Sequence, residues 1–266
     1  MSADVGEPTS SADPAVDPAV VDALRAARRV LVLSGAGMSA ESGVPTFRDA
    51  QSGLWERFDP SSLATQEAWD DDPPFVWAWY AWRAALLRRV EPHAGHRAVA
   101  DLARLRDVEV VTQNVDDLHE RAGSRVLSHV HGSLLSFRCR DCATPWQGEL
   151  AVPDEPVERL EPPTCPACGG DVRPGVVWFG EEMPRDAWDA AVGAVERLDG
   201  GDVVLVVGTS GLVYPAAGLP AMALGQGAVV VEVNPQPSDL SDLCHHHVRA
   251  GAATALPALV AALDEG

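Results

Sequence analysis

Two Cys-x-x-Cys pairs give the strongest chemical signal in the sequence. The pairs are Cys139/Cys142 and Cys165/Cys168, and residues 143–164 separate them. Four thiolates with this spacing are typical ligands of a tetrahedral Zn²⁺, and a complete set of four leaves no coordination position open for a substrate. We therefore predict a structural zinc site, with four reduced thiols as the alternative.

A glycine-rich turn, Gly35-Ala36-Gly37, follows the apolar residues 29–34. Glycines directly after a strand let backbone N–H groups approach a pyrophosphate, although a tight strand-to-helix turn is the alternative. A hydride-transferring dehydrogenase would have a second strand ending in an acidic residue about 20 positions later, and this pattern is missing. Residues 42–49 are instead predicted to form a loop over whatever the turn binds.

Polar residues follow a second apolar run. Gln113, Asn114 and Asp116 come directly after residues 108–112. Open parallel sheets place their binding sites at strand ends, where amide and carboxylate groups can hold sugar hydroxyls or a carboxamide. Turn formation and helix capping by Asn and Asp are the alternative.

Histidines occur in two further patterns. His129 and His131 alternate on a short apolar strand that ends before Gly132, so both are predicted to lie on the same side. A histidine at a strand end can act as a general base near neutral pH, although a single histidine is more often structural. The histidine run at residues 245–247 is predicted to be a solvated surface segment rather than a metal site.

Four runs of apolar, β-branched residues indicate the elements that must position these side chains. Strands are predicted at residues 29–34, 108–112, 203–208 and 228–234, and helices at residues 20–29, 96–105 and 187–198. Strands that are apolar on both faces are typical of a parallel sheet covered by helices. The alternation therefore predicts an α/β fold with a doubly wound sheet.

Two segments, residues 47–91 and 134–178, are too long for ordinary loops of such a sheet. In the first, Asp72 followed by Pro73 is a typical helix start, and the helix is predicted to continue to about Val90. The second contains the four paired cysteines. We predict that a helical module and a Cys₄ zinc-ribbon module together form a smaller lobe.

The charge balance excludes several kinds of partner. All 20 basic residues are arginine, and 39 acidic residues bring the formal net charge to −19. This charge disfavours nucleic acids and anionic membranes, so neither is predicted as a partner. The apolar runs are too short to span a membrane and no signal peptide is visible, which predicts a cytoplasmic protein. Residues 1–18 are acidic and contain prolines, which predicts a disordered tail.

The order of these motifs along the chain resembles that of the sirtuins, the NAD-dependent protein lysine deacylases. The resemblance covers nearly all of the chain from about Val30 to Pro257. It rests on the four cysteines and on residues 35–39, 45–49, 112–116, 131–132, 176–181, 208–210 and 233–234.

The resemblance implies a Rossmann-like parallel-sheet domain and a smaller lobe, with NAD in the cleft between them. The Rossmann-like NAD-binding domain would comprise residues 19–46, 92–133 and 179–266. The helical module, residues 47–91, and the zinc module, residues 134–178, would form the smaller lobe.

The resemblance also implies roles for individual residues. His131 would be the base toward the ribose hydroxyls, Asn114 and Asp116 would receive the nicotinamide carboxamide, and Gln113 would hold the nicotinamide ribose. The other NAD contacts would be Gly35, Ala36, Ser39, Phe47, Arg48 and Val115, together with Gly208, Thr209, Ser210, Asn234 and Ala252 at the adenosine half.

The implied substrate is an acylated lysine side chain of a protein or peptide. Residues 212–214 and the segment Val177, Trp178 and Phe179 would pair as strands with the substrate peptide. In this family the acyl oxygen attacks the ribose carbon as nicotinamide leaves. The products are free lysine, nicotinamide and an O-acyl-ADP-ribose.

One pair of residues indicates which kind of acyl group is removed. Tyr80 and Arg83 lie three positions apart on the predicted helix, so they share a face. A phenol beside a guanidinium can hold a carboxylate, although a surface Arg next to a packed Tyr is the alternative. Sirtuins that remove succinyl and malonyl groups have this Tyr-x-x-Arg and an upstream Ala-Thr step, which is Ala64-Thr65 here. The resemblance therefore implies removal of succinyl and malonyl groups, and also of acetyl.

Other functions remain as alternatives at this point. They are a general lysine deacetylase, a mono-ADP-ribosyltransferase and a non-catalytic regulator that binds NAD or ADP-ribose. The presence of His131, Asn114 and Asp116 disfavours the regulator. A nucleic-acid-binding zinc ribbon is disfavoured by the net charge of −19.

Overall fold

The structure, a computed structural model, describes residues 17–45, 59–150, 152 and 155–264. The predicted tail, residues 1–18, lies outside the described residues except for its last two positions. Residues 46–49 of the loop predicted to cover the glycine-rich turn also lie outside them.

Six strands form the large sheet. They are β1 (Arg29–Ser34), β2 (Asp107–Thr112), β3 (Val126–His129), β7 (Val203–Val207), β8 (Val229–Val233) and β9 (His246–Val248). Their order is β3-β2-β1-β7-β8-β9, and every neighbouring pair is parallel. The carboxyl ends of the strands therefore meet at one edge, and the chain changes direction between β1 and β7, which is where doubly wound sheets bind ligands.

Helices cover both faces of this sheet. The described helices are α1 (Pro18–Ala26), α2 (Gly37–Ala40), α3 (Pro60–Leu63), α4 (Gln66–Asp71), α5 (Pro73–Leu87), α6 (Ala94–Leu102), α7 (Leu118–Arg121), α8 (Arg185–Glu196), α9 (Leu219–Gly225) and α10 (Ala252–Asp264). Core residues of α1, α6 and α10 pack on one face, and those of α8 and α9 pack on the other. All five residues of β7 are at most 1% exposed, and burying a Val or Leu side chain stabilises the fold by roughly 1.5–3 kcal/mol.

The smaller lobe has a second sheet with its own core. Strands β4 (Gly132–Cys139), β5 (Pro145–Trp146) and β6 (Val172–Val176) are antiparallel in the order β5-β4-β6. Buried tryptophans of α4 and α5 pack against this sheet, together with Trp178 just after it. The predicted fold class, a Rossmann-like parallel sheet with a smaller lobe that contains helices and the four cysteines, is confirmed. Among the described helices, none has both the length and the apolar character that crossing a membrane requires.

Helix boundaries differ from the predictions where side chains act as caps. The α1 helix begins at Pro18 because the Asp17 side chain accepts a hydrogen bond from the Ala19 N–H, and it ends at Ala26 rather than at residue 29. The α6 helix begins two residues early because the His93 side chain caps it by accepting from the Gly95 N–H. The α5 helix begins at Pro73 as predicted and ends at Leu87.

The histidine run lies at the surface as predicted, with His245 and His247 exposed, but part of it forms an ordered strand. His246 belongs to β9, the edge strand, and pairs with Val231 of β8. The Nδ1 atom of His245 accepts a hydrogen bond from the Val230 N–H over 3.0 Å. The sequence signal was weak because three consecutive polar residues do not show the alternation of an amphipathic strand.

Candidate active site at the strand ends

A cleft of about 1270 Å³ lies between the carboxyl edge of the large sheet and the smaller lobe. Its walls come from the segments that follow β1, β2, β7 and β8, from residues 177–183 after β6, and from α5. Of the described residues that we predicted to bind NAD, to bind substrate or to act in catalysis, all but Ala252 line this cleft. Ala252 is buried at the start of α10. Phe47 and Arg48 lie outside the described residues.

Two glycine turns pack against each other at the point where the sheet changes direction. The Gly37 N–H donates to the carbonyl of Gly208 over 2.8 Å, and a Cβ atom on Gly208 would lie 2.3 Å from the Met38 nitrogen. Gly208 also has a φ of +60°, which favours glycine. A side chain at either position would collide with the opposite turn, so glycine is required for the two turns to pack together. Both turns also line the cleft.

A buried network fixes the segment that follows β2. Ser34 and Thr112, the last residues of β1 and β2, form a 2.8 Å hydroxyl–hydroxyl hydrogen bond, and the Asn114 N–H donates to the Thr112 hydroxyl over 3.0 Å. The Nε2 atom of His119 lies 3.0 Å from the Ser34 hydroxyl, and burial lowers the pKa of His119 to about 4, which keeps its ring neutral. The prediction assigned no role to Ser34, Thr112 or His119. The signal for the first two is a hydroxyl residue at the end of an otherwise apolar strand.

An amide and a carboxyl group meet beside the glycine turn. The Asn114 side-chain amide donates to the Ser39 hydroxyl over 3.0 Å, and Ser39 also hydrogen-bonds to Asp116. Asp116 is 5% exposed, and burial raises the pKa of its carboxyl group against the opposing hydrogen bonds from Ser39 and from the Leu118 N–H. Because the two side chains are buried and held by hydrogen bonds, they form a pre-organised polar patch for a ligand of amide type.

Among the described residues, only one ring nitrogen of His131 has a hydrogen-bond partner. Its Nδ1 atom lies 3.0 Å from the carbonyl oxygen of Gln113. A carbonyl only accepts, so Nδ1 carries the proton and Nε2 of the neutral ring keeps its lone pair. Burial lowers the pKa of His131 from its usual 6.5, against a smaller opposing effect of the Gln113 hydrogen bond. A neutral His131 can therefore accept a proton at Nε2.

His129 differs from His131, although the strand pattern predicted the same side for both. Its Nδ1 atom bonds to the carbonyl of Asn114 over 3.0 Å, and its Nε2 atom bonds to the Glu120 carboxylate over 2.6 Å. Burial disfavours the charged ring, but these hydrogen bonds outweigh it and raise the pKa of His129. Both nitrogens are occupied and His129 does not line the cleft, so it supports the Asn114 segment.

The four paired cysteines come together in the smaller lobe. Their Sγ atoms all lie within 4.8 Å of one another, with Cys139 and Cys168 3.4 Å apart and Cys142 and Cys165 3.8 Å apart. Zn–S bonds of about 2.3 Å in a tetrahedron place sulfurs about 3.8 Å apart, so the donor set fits Zn²⁺ and could hold a structural ion. Within the described part of the chain, no other such cluster of potential ligands occurs.

The predicted acyl-binding residues lie on the lobe side of the cleft. Tyr80 is 2% exposed, and the guanidinium carbon of Arg83 lies 4.7 Å from the centroid of the Trp79 ring. Burial raises the pKa of Tyr80, so its phenol stays neutral. The carbonyl of Ala64 accepts from the Phe179 N–H over 2.8 Å, which joins the Ala-Thr step to the predicted substrate segment.

A buried ion pair that the prediction missed lies behind this segment. Arg173 is 2% exposed and donates to both carboxylate oxygens of Glu181, over 2.5 and 3.0 Å. The same carboxylate accepts from the Trp178 N–H over 2.9 Å. Charged residues are rarely buried without a partner, but nothing in the sequence pattern distinguishes these two from the many exposed Arg and Glu residues.

Comparison with known proteins shows the family to which this chain belongs. The model of the Sir2 family matches residues 35–215, which is more than half of the chain. The chain belongs to the Sir2 family. The predicted sirtuin resemblance is thereby confirmed, and the motifs that carried it lie largely within the matched residues.

Relatives within the Sir2 family agree in length and fold. An NAD-dependent protein deacylase of Mycolicibacterium paratuberculosis is 55% identical over 232 residues, which cover 87% of this chain and 96% of the relative. The crystal structure of a Sir2 homologue in complex with NAD has a TM-score of 0.85 and 39% identity, and the match covers 96% of this chain and 97% of that one. A mutant Sir2 homologue in complex with 2′-O-acetyl ADP-ribose has a TM-score of 0.85 and 40% identity over 94% of this chain and 97% of that one.

The cysteine cluster predicts that zinc stabilises this Sir2 family member. Cys165→Ser removes a buried ligand, and metal binding is coupled to folding. We expect loss of bound zinc and a melting temperature lower by roughly 6–12 °C, which corresponds to about 3 kcal/mol for a chain of this size. Metal analysis and thermal unfolding measure both effects.

Cys244→Ser is the matched control, because Cys244 lies outside the cluster. It should retain zinc and the parental melting temperature. A zinc-free Cys165→Ser protein with an unchanged melting temperature and full activity would contradict a structural role for the metal.

Proposed function

We propose that this protein is an NAD-dependent protein deacylase that prefers succinyl- and malonyl-lysine over acetyl-lysine. Membership of the Sir2 family and the names of its relatives support the enzyme class. The acyl preference rests on one observation: Tyr80 and Arg83 line the same cleft as His131. The chain itself contains no lysine, so the acyl-lysine must come from another protein or peptide.

The residues along the cleft fit NAD as co-substrate. The glycine turns, together with Thr209, Ser210 and Asn234, would hold the pyrophosphate and the adenosine half. Gln113 would hold the nicotinamide ribose, while Asn114 and Asp116 would receive the carboxamide. When bound, NAD supplies the ADP-ribosyl group that accepts the acyl group as nicotinamide departs. A solved Sir2 homologue in complex with 2′-O-acetyl ADP-ribose supports an O-acyl-ADP-ribose product.

His131 would act as the general base. Its Nε2 atom would take a proton from a ribose hydroxyl, while the Gln113 carbonyl holds the ring by its Nδ1–H. The neutral state that burial favours is the state that can accept this proton. Asn114 and Asp116 follow β2 and bond to Ser39 of α2, and this polar cluster would orient the leaving nicotinamide.

The substrate peptide would bind along the rim of the cleft. Phe179, Leu212 and Tyr214 are exposed there, at 46%, 55% and 73%. Large exposed apolar side chains next to a cleft are typical of an interaction surface. An extended peptide could add its backbone between the segments 177–179 and 212–214, which is recognition by β-augmentation.

The acyl chain would enter the lobe beside Ala64, whose small side chain leaves room. Arg83 would form a charge-assisted contact with the distal carboxylate of a succinyl or malonyl group, and Tyr80 would donate its hydroxyl proton to it. Incubation with NAD and acetyl, malonyl and succinyl versions of one lysine peptide tests the proposal. Mass spectrometry distinguishes deacylated peptide with nicotinamide from an ADP-ribosylated peptide, which would indicate ADP-ribosyl transfer instead.

Replacement of the base gives the first prediction for catalysis. His131→Ala should lower kcat for deacylation by about 10²–10⁴-fold, because general-base catalysis contributes a factor of this size. NAD binding, measured by calorimetry, should persist. His246→Ala on β9 is the control and should keep wild-type turnover, since His246 does not line the cleft. Wild-type turnover in His131→Ala would exclude the assigned role.

The pH profile follows from the direction of the shift in the pKa of His131. His131 must be neutral to accept a proton, and burial moves its pKa below 6.5, so activity should hold at pH 6.5 and fall only at lower pH. The measurement is kcat/KM on an acetyl peptide, whose acyl group does not titrate. The Asp116→Asn variant should be slower than wild type, but its kcat/KM should fall over the same acidic pH range. A fall of kcat/KM centred above pH 6.5 would contradict the role of His131 as the base.

The acyl preference gives a third prediction. Arg83→Met should reduce the ratio of kcat/KM for succinyl over acetyl peptide by at least about 30-fold, because losing one partner of a buried charge pair costs on the order of 2–5 kcal/mol. Arg88→Met, which changes an exposed arginine just after the same helix, should leave the ratio unchanged. An equal loss of both activities in Arg83→Met would make Arg83 a structural residue.

A further inference from the structure

The indole of Trp178 makes a buried hydrogen bond inside the acyl end of the cleft. Its Nε1–H donates to the hydroxyl oxygen of Tyr80 over 3.0 Å. Trp178 is 1% exposed and Tyr80 is 2% exposed, and both line the cleft. The two rings also pack together, with centroids 6.4 Å apart. Water therefore competes little for this contact.

The direction of this hydrogen bond determines what the phenol can do next. An indole N–H can only donate, so the Tyr80 oxygen is the acceptor. The phenol has one proton of its own, and burial keeps it in place by raising the pKa of Tyr80. Within the described residues, no acceptor takes the Tyr80 O–H. The proton is thus available to an acceptor that enters the cleft.

The orientation of the indole is itself fixed. The guanidinium carbon of Arg173 lies 3.3 Å from the centroid of the Trp178 ring, and Trp69 packs against that ring with centroids 5.5 Å apart. The Glu181 carboxylate accepts hydrogen bonds from both the Arg173 guanidinium and the backbone N–H of Trp178. Backbone and ring of Trp178 are therefore held from two sides, and the indole N–H cannot turn away from Tyr80 without losing the ring's contacts with Arg173 and Trp69.

We propose that Trp178 is a positioning residue for acyl specificity: its indole N–H occupies the Tyr80 oxygen and so directs the Tyr80 hydroxyl proton toward the carboxylate of an acidic acyl group. This proposal rests on the proposed preference for succinyl and malonyl groups. A carboxylate can accept a hydrogen bond from the Tyr80 hydroxyl, whereas the methyl group of an acetyl cannot. This arrangement therefore favours acidic acyl groups only. Hydrogen bonds in a chain also polarise one another, which makes the Tyr80 hydroxyl a better donor.

Trp178→Phe tests the proposal, because it removes the N–H and keeps an aromatic ring. The ratio of kcat/KM for succinyl over acetyl peptide should fall about 3–10-fold, the size expected for one net hydrogen bond. The KM for the succinyl peptide should carry most of the change, since the contact to the distal carboxylate exists before and during the reaction. Trp77→Phe is the matched control and should leave the ratio within about twofold of wild type, because Trp77 belongs to the same buried core but packs its ring against Phe137.

A double-mutant cycle separates positioning from packing. In a Tyr80→Phe background, Trp178→Phe should not change the ratio further, because the hydroxyl that it positions is gone. An equal loss of both activities in Trp178→Phe, or the same drop of the ratio in both backgrounds, would overturn the proposal. If Trp178→Phe does not fold, benzothienylalanine at position 178 removes the N–H with nearly the same shape, and the same ratio decides. A wild-type enzyme without preference for succinyl would instead reject the acyl assignment itself.

Discussion

The close contact between the turns after β1 and β7 is the constraint on which the site depends. Gly37 and Gly208 approach so closely that neither position has room for a Cβ atom. This contact lies where the sheet changes direction, between its two central strands. It brings backbone from both halves of the sheet to one place, where both turns line the cleft. The segments after β2 and β8 then extend the cleft on either side.

Polar groups at this edge are held by hydrogen bonds to one another. Ser34, Thr112 and His119 form a buried network under Asn114, and His129 supports the same segment from the other side. A buried network of this kind is rigid only while each member has a partner. Because of this network, Asn114, Asp116 and His131 are positioned before any ligand binds, so binding does not have to order them.

The smaller lobe adds the second wall and, in our proposal, the specificity. Its core depends on large aromatic side chains and on the four cysteines, which link β4 to the loop before β6. The Arg173–Glu181 pair joins β6 to the segment 177–181. Removing one member of a buried pair leaves an uncompensated charge, which typically costs about 3–5 kcal/mol. The segment 177–181 is therefore tied to β6 and, through the hydrogen bond between Trp178 and Tyr80, to α5 at the same time.

The sequence by itself determined the family, the fold class and the cysteine cluster. Strand periodicity, glycine turns and Cys-x-x-Cys spacing are local signals, and their order along the chain was specific enough to predict the Sir2 family. Strand positions followed from apolar runs that the burial of both sheet faces requires. Helix ends were less predictable, because caps such as Asp17 and His93 act through single hydrogen bonds.

Only the tertiary structure decided which polar side chains face the cleft. Alternation placed His129 and His131 on one side, but β3 ends at His129 and a turn carries His131 to the cleft, while Glu120 of α7 binds His129. The Trp178–Tyr80 hydrogen bond joins residues that are 98 positions apart, and the Ser34–His119 contact joins residues 85 positions apart. Such contacts depend on how whole elements pack against each other, and no local pattern in the sequence encodes the direction of a single N–H or O–H bond.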